Sequence, residues 1–149
     1  MNHKIEREYF VERIADYIRA LEEHGHELHL AEDNRLLFRV SGRPFEALAW
    51  IDDKFDLICI TTRTENFATF QFKEAVKILK ETLEICWEHC VAVSPVTLSA
   101  EENRYDLSMA LFVGGCTFEA FEGVVYNLMA CAEAIEENVK ARKKKSKSG

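Results

Sequence analysis

The chain has 149 residues, 48% hydrophobic and 30% charged, with a formal net charge of −7. That is one domain's length, too apolar for a disordered polymer and long enough to close a core without a metal or a disulfide. No apolar run reaches the roughly 20 residues of a membrane-spanning helix, the chain turns to charged, periodic sequence by Glu6-Arg7-Glu8, which predicts no secretory leader, and five cysteines without paired spacing predict reduced thiols in a cytoplasmic setting.

From Ile5 to Glu23, apolar Ile5, Tyr9, Phe10, Ile14, Tyr17, Ile18 and Leu21 recur at steps of three and four, which predicts a helix ended by Gly25. Four short strands follow. Glu27–Glu32 alternates weakly and Asp33-Asn34 turns. Arg35–Ser41 sets Leu36, Phe38 and Val40 on one face, and Gly42-Arg43-Pro44 breaks the chain. Phe45–Ile51 alternates, Asp52–Lys54 turns, and Phe55–Thr62 is β-branched. Loops this short require an antiparallel meander. A second helix spans Phe70–His89, with Phe72, Ala75, Val76, Leu79, Leu83, Cys86, Trp87 and Cys90 as its apolar stripe. Val91–Leu98 is a strand that holds Pro95, which lacks an N–H and so belongs at a sheet edge or a bulge. Tyr105–Val113 is a strand with Tyr105, Leu107, Met109, Leu111 and Val113 on one side, stopped by Gly114-Gly115. In the last helix, capped by Thr117, Phe118, Phe121, Val125, Leu128, Ala132, Ile135 and Val139 define one stripe. Val124, Met129 and Cys131 widen that arc and predict a second packing partner.

The order α-β-β-β-β-α-β-β-α predicts an α+β domain over residues 1–139, an antiparallel sheet with helices on one face. Residues 140–149 hold six of the 19 basic groups and no acid, and are expected to be a disordered basic tail. Residues 1–139 then carry 13 basic and 26 acidic groups, a net of −13 that repels phosphate backbones. Contact with nucleic acid or membrane is expected only through the tail.

The hairpin segment Glu32–Glu46, EDNRLLFRVSGRPFE, resembles the second-to-third-strand hairpin of the bacterial YbjN-type family, a group named for candidate sensory transduction regulators. The element order over about residues 5–139 matches as well. The resemblance implies the fold of type III secretion chaperones and a homodimer that binds protein segments rather than a catalyst.

Little in the chain carries catalytic chemistry. Cys86, His89 and Cys90 share a helix, with Cys86 and Cys90 one turn apart on its apolar face. No second knuckle accompanies them, so they read as small core residues rather than metal ligands. His24 beside Gly25 suits a helix carboxyl end. Asp52-Asp53, Glu101-Glu102 and Glu136-Glu137 fall at a turn, a loop and a helix surface. Gly114-Gly115-Cys116-Thr117 lacks the lysine and the spacing of a phosphate loop. No catalytic residue, metal or cofactor is expected.

The informative feature is surplus apolar surface. Helices cover one sheet face, yet Leu37, Leu48, Trp50 and Phe112 alternate onto the other, which should be polar in a monomer. These four are the expected contact residues for a protein partner or a second copy, with Trp50 as anchor. The expected function is non-catalytic, chaperone-like or regulatory capture of a protein segment by a homodimer. The alternative is a regulator tethered to nucleic acid or anionic membrane through the basic tail.

Overall fold

The computed structural model describes residues 3–21, 29–30, 35–51, 56–67, 72–98, 103–112, 114 and 116–148. The elements are α1 (His3–Leu21), β1 (His29–Leu30), β2 (Arg35–Val40), β3 (Arg43–Ile51), β4 (Asp56–Arg63), α2 (Phe72–His89), β5 (Ala92–Leu98), β6 (Asn103–Phe112) and α3 (Phe118–Ser148). This is the α+β order expected from periodicity. The turns expected at Gly25, Asp33-Asn34 and Asp52–Lys54, and the cap expected of His24, lie outside the described residues.

The strands form one antiparallel sheet in the order β1-β2-β3-β4-β6-β5. β1 to β4 make the meander, and β6 pairs with β4, leaving β5 outermost. Pro95 lies in that edge strand, at a register shift between Pro95 and Thr97. Both devices accommodate the missing donor. Ser41 (φ 51°) and Gly42 (φ 80°) turn β2 into β3, a two-residue reversal with the left-handed angles that match strand twist. Arg43 and Pro44, expected as part of the break, instead open β3 opposite Val40 and Arg39, because the turn needs only two residues.

Alternate strand residues build the core. Leu36, Phe38, Val40, Phe45, Ala47, Ile58, Ile60, Tyr105 and Leu107 are buried on one face. α1 lies across β2 and β3, α3 across β4 and β6, and α2 packs on α3 and β5. Thr117 Oγ1 accepts the Ala120 N–H at 3.1 Å, the expected N-cap. Below it Phe121, Val125, Leu128, Ala132, Ile135 and Val139 are fully buried. The second partner of α3 proves to be α2. The Cys131 thiol donates to the Cys86 sulfur at 3.9 Å, and Asn127 Nδ2 donates to the His89 carbonyl at 2.8 Å. The donated hydrogen bond holds the Cys86 thiol below its ordinary pKa, while engagement with Cys86 and burial push Cys131 up.

α2 presents a different face to the core from the one its sequence suggests. Ile78, Thr82 and Cys86 are buried, whereas Val76, Leu79, Leu83 and Trp87 are exposed. The helix ends with Val91 N–H on the Cys86 carbonyl and Cys90 N–H on that of Trp87, the paired bonds of a Schellman cap. Cys90 therefore occupies the left-handed position past the helix (φ 57°), where glycine is usual. Replacing exposed Cys90 by glycine should stabilise the protein by roughly 0.5–1 kcal/mol, since relieved left-handed strain exceeds glycine's extra entropy cost. A higher urea midpoint at constant m value is the measurement, and an unchanged midpoint contradicts the strain.

Ion pairs from α3 tie distant segments together. Glu136 of α3, expected at a helix surface, is buried. It takes both Nη groups of Arg43 and the Glu65 N–H, the last at 2.8 Å. α3 also continues through the basic segment to Ser148, so the boundary expected at 139/140 falls inside the helix. Lysine and arginine are good helix formers, and the acidic body holds the first of them. Lys140 Nζ lies 3.8 Å from Glu65, and Arg142 pairs with Glu81 and lies 3.9 Å from Glu74.

Candidate functional site

The sheet face away from the helices divides into a polar end and an apolar end. Strand register sets the rows. Arg63 bonds Asp106 at 2.8 Å, and in the next row Thr61 pairs with Glu46 and Ser108. Leu37 sits opposite Glu46 in that polar row, 39% exposed. The adjoining row is Arg35, Leu48, Cys59 and Ala110, and the last is Trp50, Leu57 and Phe112. Phe112 is 72% exposed, Ala110 is exposed, and Leu48, Leu57 and Cys59 are half-buried.

Of the four residues expected to form a contact surface, Leu48 and Phe112 thus fall into one corner, and register sets position 50 beside Leu57. The Trp50 side chain lies outside the described residues. Leu37 stands one row from Leu48 and two from Phe112, opposite Glu46. Leu57 and Ala110 complete the corner and were missed: register sets Leu57 opposite Phe112 and puts Ala110 in the row of Leu48, while alternation along β6 already places Ala110 on the face of Phe112. Arg35, at the border, bonds Glu46 at 3.1 Å.

The other candidates separate. Cys86 points into the α2–α3 interface, whereas Cys90 lies exposed beyond the helix end, so the two do not share a face. His89 Nδ1 lies 2.9 Å from the Ile85 carbonyl. Among the described residues no three metal-ligating side chains converge. The thiol of Cys116 is pushed above its ordinary pKa by burial. A groove of about 690 Å³ wraps the end of the sheet by Arg43, Arg63 and Glu133. Arg43 is engaged by Glu136 and Arg63 by Asp106, so the groove offers an anion little uncompensated charge. No described helix is long and apolar enough to cross a membrane.

No family model matches the sequence, and no curated protein matches it either. Solved structures do. An uncharacterized protein from Methanothermobacter thermautotrophicus superposes with a TM-score of 0.72 at 11% identity, covering 89% of this chain and 98% of that one. YbjN from E. coli, described as a candidate transcription regulator, gives a TM-score of 0.57 at 13% identity over 89% of this chain and 93% of its own. The chain has a YbjN-type fold. The likeness extends over nearly the whole of both neighbours, so the three helices and the sheet recur as a unit, not as a shared hairpin alone. At such identities it speaks for architecture, and the surface must be read from this chain's own residues.

Proposed function

We propose that the chain is a non-catalytic, homodimeric binding domain that captures an amphipathic or extended segment of another protein. The apolar corner of the open sheet face is its contact surface. One observation carries this reading: a sheet face with no described helix over it holds Phe112, 72% exposed, opposite Leu57, with Ala110 two residues before it on the same strand and Leu48 in the adjoining row across β4. Such a face is ordinarily polar, and a contiguous apolar patch marks a contact. Trp50 and Phe112 are the aromatic anchors, and Leu37 with Leu48 extends the surface toward the polar end. The acidic body steers basic segments toward it. The tethering alternative has less support, since Lys140 and Arg142 are partly neutralised by Glu65, Glu74 and Glu81.

Peptides selected from a displayed random library against the immobilised protein test the proposal. The selected sequences should be apolar on one side and rich in lysine or arginine. Phe112→Ser and Trp50→Ala should each weaken their binding about tenfold or more with helix content unchanged. Peptides that bind both variants as tightly as the parent would refute the assignment.

A further inference from the structure

α2 has three faces rather than two. Ile78, Thr82 and Cys86 look inward, and Glu74 and Glu81 on that flank are met by Arg142. Val76, Leu79, Leu83 and Trp87 form a second apolar line at steps of three, four and four. Trp87 is 85% exposed and the other three are each roughly half exposed. The third face is charged and exposed throughout: Lys73, Lys77, Lys80, Glu84 and Glu88. Along it all the cations lie in the first half of the helix and all the anions in the second. Among the described residues none of the five makes an ion pair.

This order opposes the helix dipole, which favours anions near the N-terminus and cations near the C-terminus. Its interaction with the dipole is unfavourable within the monomer, but the pattern is complementary to itself when reversed. We infer that a second copy of this chain seats on the exposed apolar line of α2, the two helices running antiparallel about a twofold axis between Leu79 and Leu83. Leu79 then meets the second copy's Leu83, and Val76 meets its Trp87. Lys77 and Lys80 face its Glu84 and Glu88. A parallel twofold pairing would put the two charged flanks on opposite sides of the seam and make none of these pairs. Each twofold contact occurs twice, so one charge pattern is read at both ends. The inference rests on the homodimeric reading above and assigns its interface to α2, leaving the sheet corner for the captured segment.

The test uses the full chain in sedimentation velocity across about 1–100 µM, the range in which small interfaces dissociate. The parent should shift toward twice its 17.2 kDa mass as concentration rises. Lys80→Glu and Glu84→Lys place like charges face to face, and each alone should weaken self-association about tenfold or more. Mixed together, the two variants should form a heterodimer, and the double variant Lys80→Glu/Glu84→Lys should recover the homodimer. Trp87→Ser should abolish association, while Phe112→Ser should leave mass unchanged and lower only binding of the displayed peptides. All four positions are exposed, and circular dichroism checks that each variant folds. A parent monomeric throughout overturns the inference, as does a dimer that survives Trp87→Ser or one lost in Phe112→Ser. Failure of the mixed pair to form a heterodimer likewise overturns the antiparallel arrangement. Peptide binding at the corner that persists in a monomeric parent would sink the interface and leave the capture reading standing.

Discussion

Glu136→Ala should cost the fold about 3–5 kcal/mol, a large part of the roughly 5–15 kcal/mol that holds a domain together. Arg43 and Glu136 lie 93 residues apart in sequence, with side chains 16% and 6% exposed, and they meet through both guanidinium Nη groups. Arg43 Nη1 also donates to the Arg63 carbonyl at 3.0 Å, and the Glu65 N–H donates to Glu136. One carboxylate therefore joins the start of β3 and the segment after β4 to α3. Removing it leaves a largely buried guanidinium and an orphaned backbone donor. Replacing both partners, Arg43→Met with Glu136→Leu, should cost clearly less than Glu136→Ala, because no charge is then stranded. Urea denaturation of the singles and the double gives the coupling energy. A single-variant loss below about 1 kcal/mol, the value of an exposed pair, would contradict the burial.

That contact was not legible in the sequence. Glu136-Glu137 is one of many acidic pairs in an acidic chain, and nothing local distinguishes a glutamate that meets an arginine across the fold. Where an element was readable, one residue usually had few physical options. Pro95 cannot donate, so its strand had to sit at an edge or bulge, and it does both. In α3 every position from Phe121 to Val139 in the stripe is buried, because no competing apolar line of equal strength exists on that helix. α2 offers two lines. The inner line has one strong hydrophobe, Ile78, with Thr82 and Cys86, against Val76, Leu79, Leu83 and Trp87 on the other, so periodicity favours the line that the fold leaves outside. Tertiary packing overrode local hydrophobicity there, and that reversal points to the proposed interface.

The open-face corner was half legible for a related reason. Alternation along one strand fixes which side Leu48 and Phe112 face, but register between strands decides whether they are neighbours. Leu37 has the same alternation as Leu48 and lands opposite Glu46, while Leu57 drew no notice and lands opposite Phe112. A one-strand reading cannot distinguish those outcomes.

The second large effect is expected at Phe121. Phe121→Ala should destabilise the protein by about 3–5 kcal/mol, the range for emptying a large aromatic site in a packed core. The ring is wholly buried, 6.2 Å from Phe38 of β2 and 5.9 Å from Tyr17 of α1, centroid to centroid. Phe38 in turn stacks on Phe45 at 5.4 Å. The Tyr17 hydroxyl donates to the Cys116 carbonyl at 3.1 Å, just before α3 begins, and accepts from Arg13 Nε. Phe121 thus fills the junction where α1, α3 and the sheet meet, and neither helix can move in to fill the gap without breaking the Tyr17 anchor. Phe121→Leu should cost clearly less, since it retains most of the volume. The exposed corner lies on the other side of the sheet, so at temperatures where the leucine variant remains folded its peptide binding should match the parent's. Calorimetric melting of both variants is the measurement. Equal losses for alanine and leucine would mean that the aromatic contacts, not the filled volume, hold the junction.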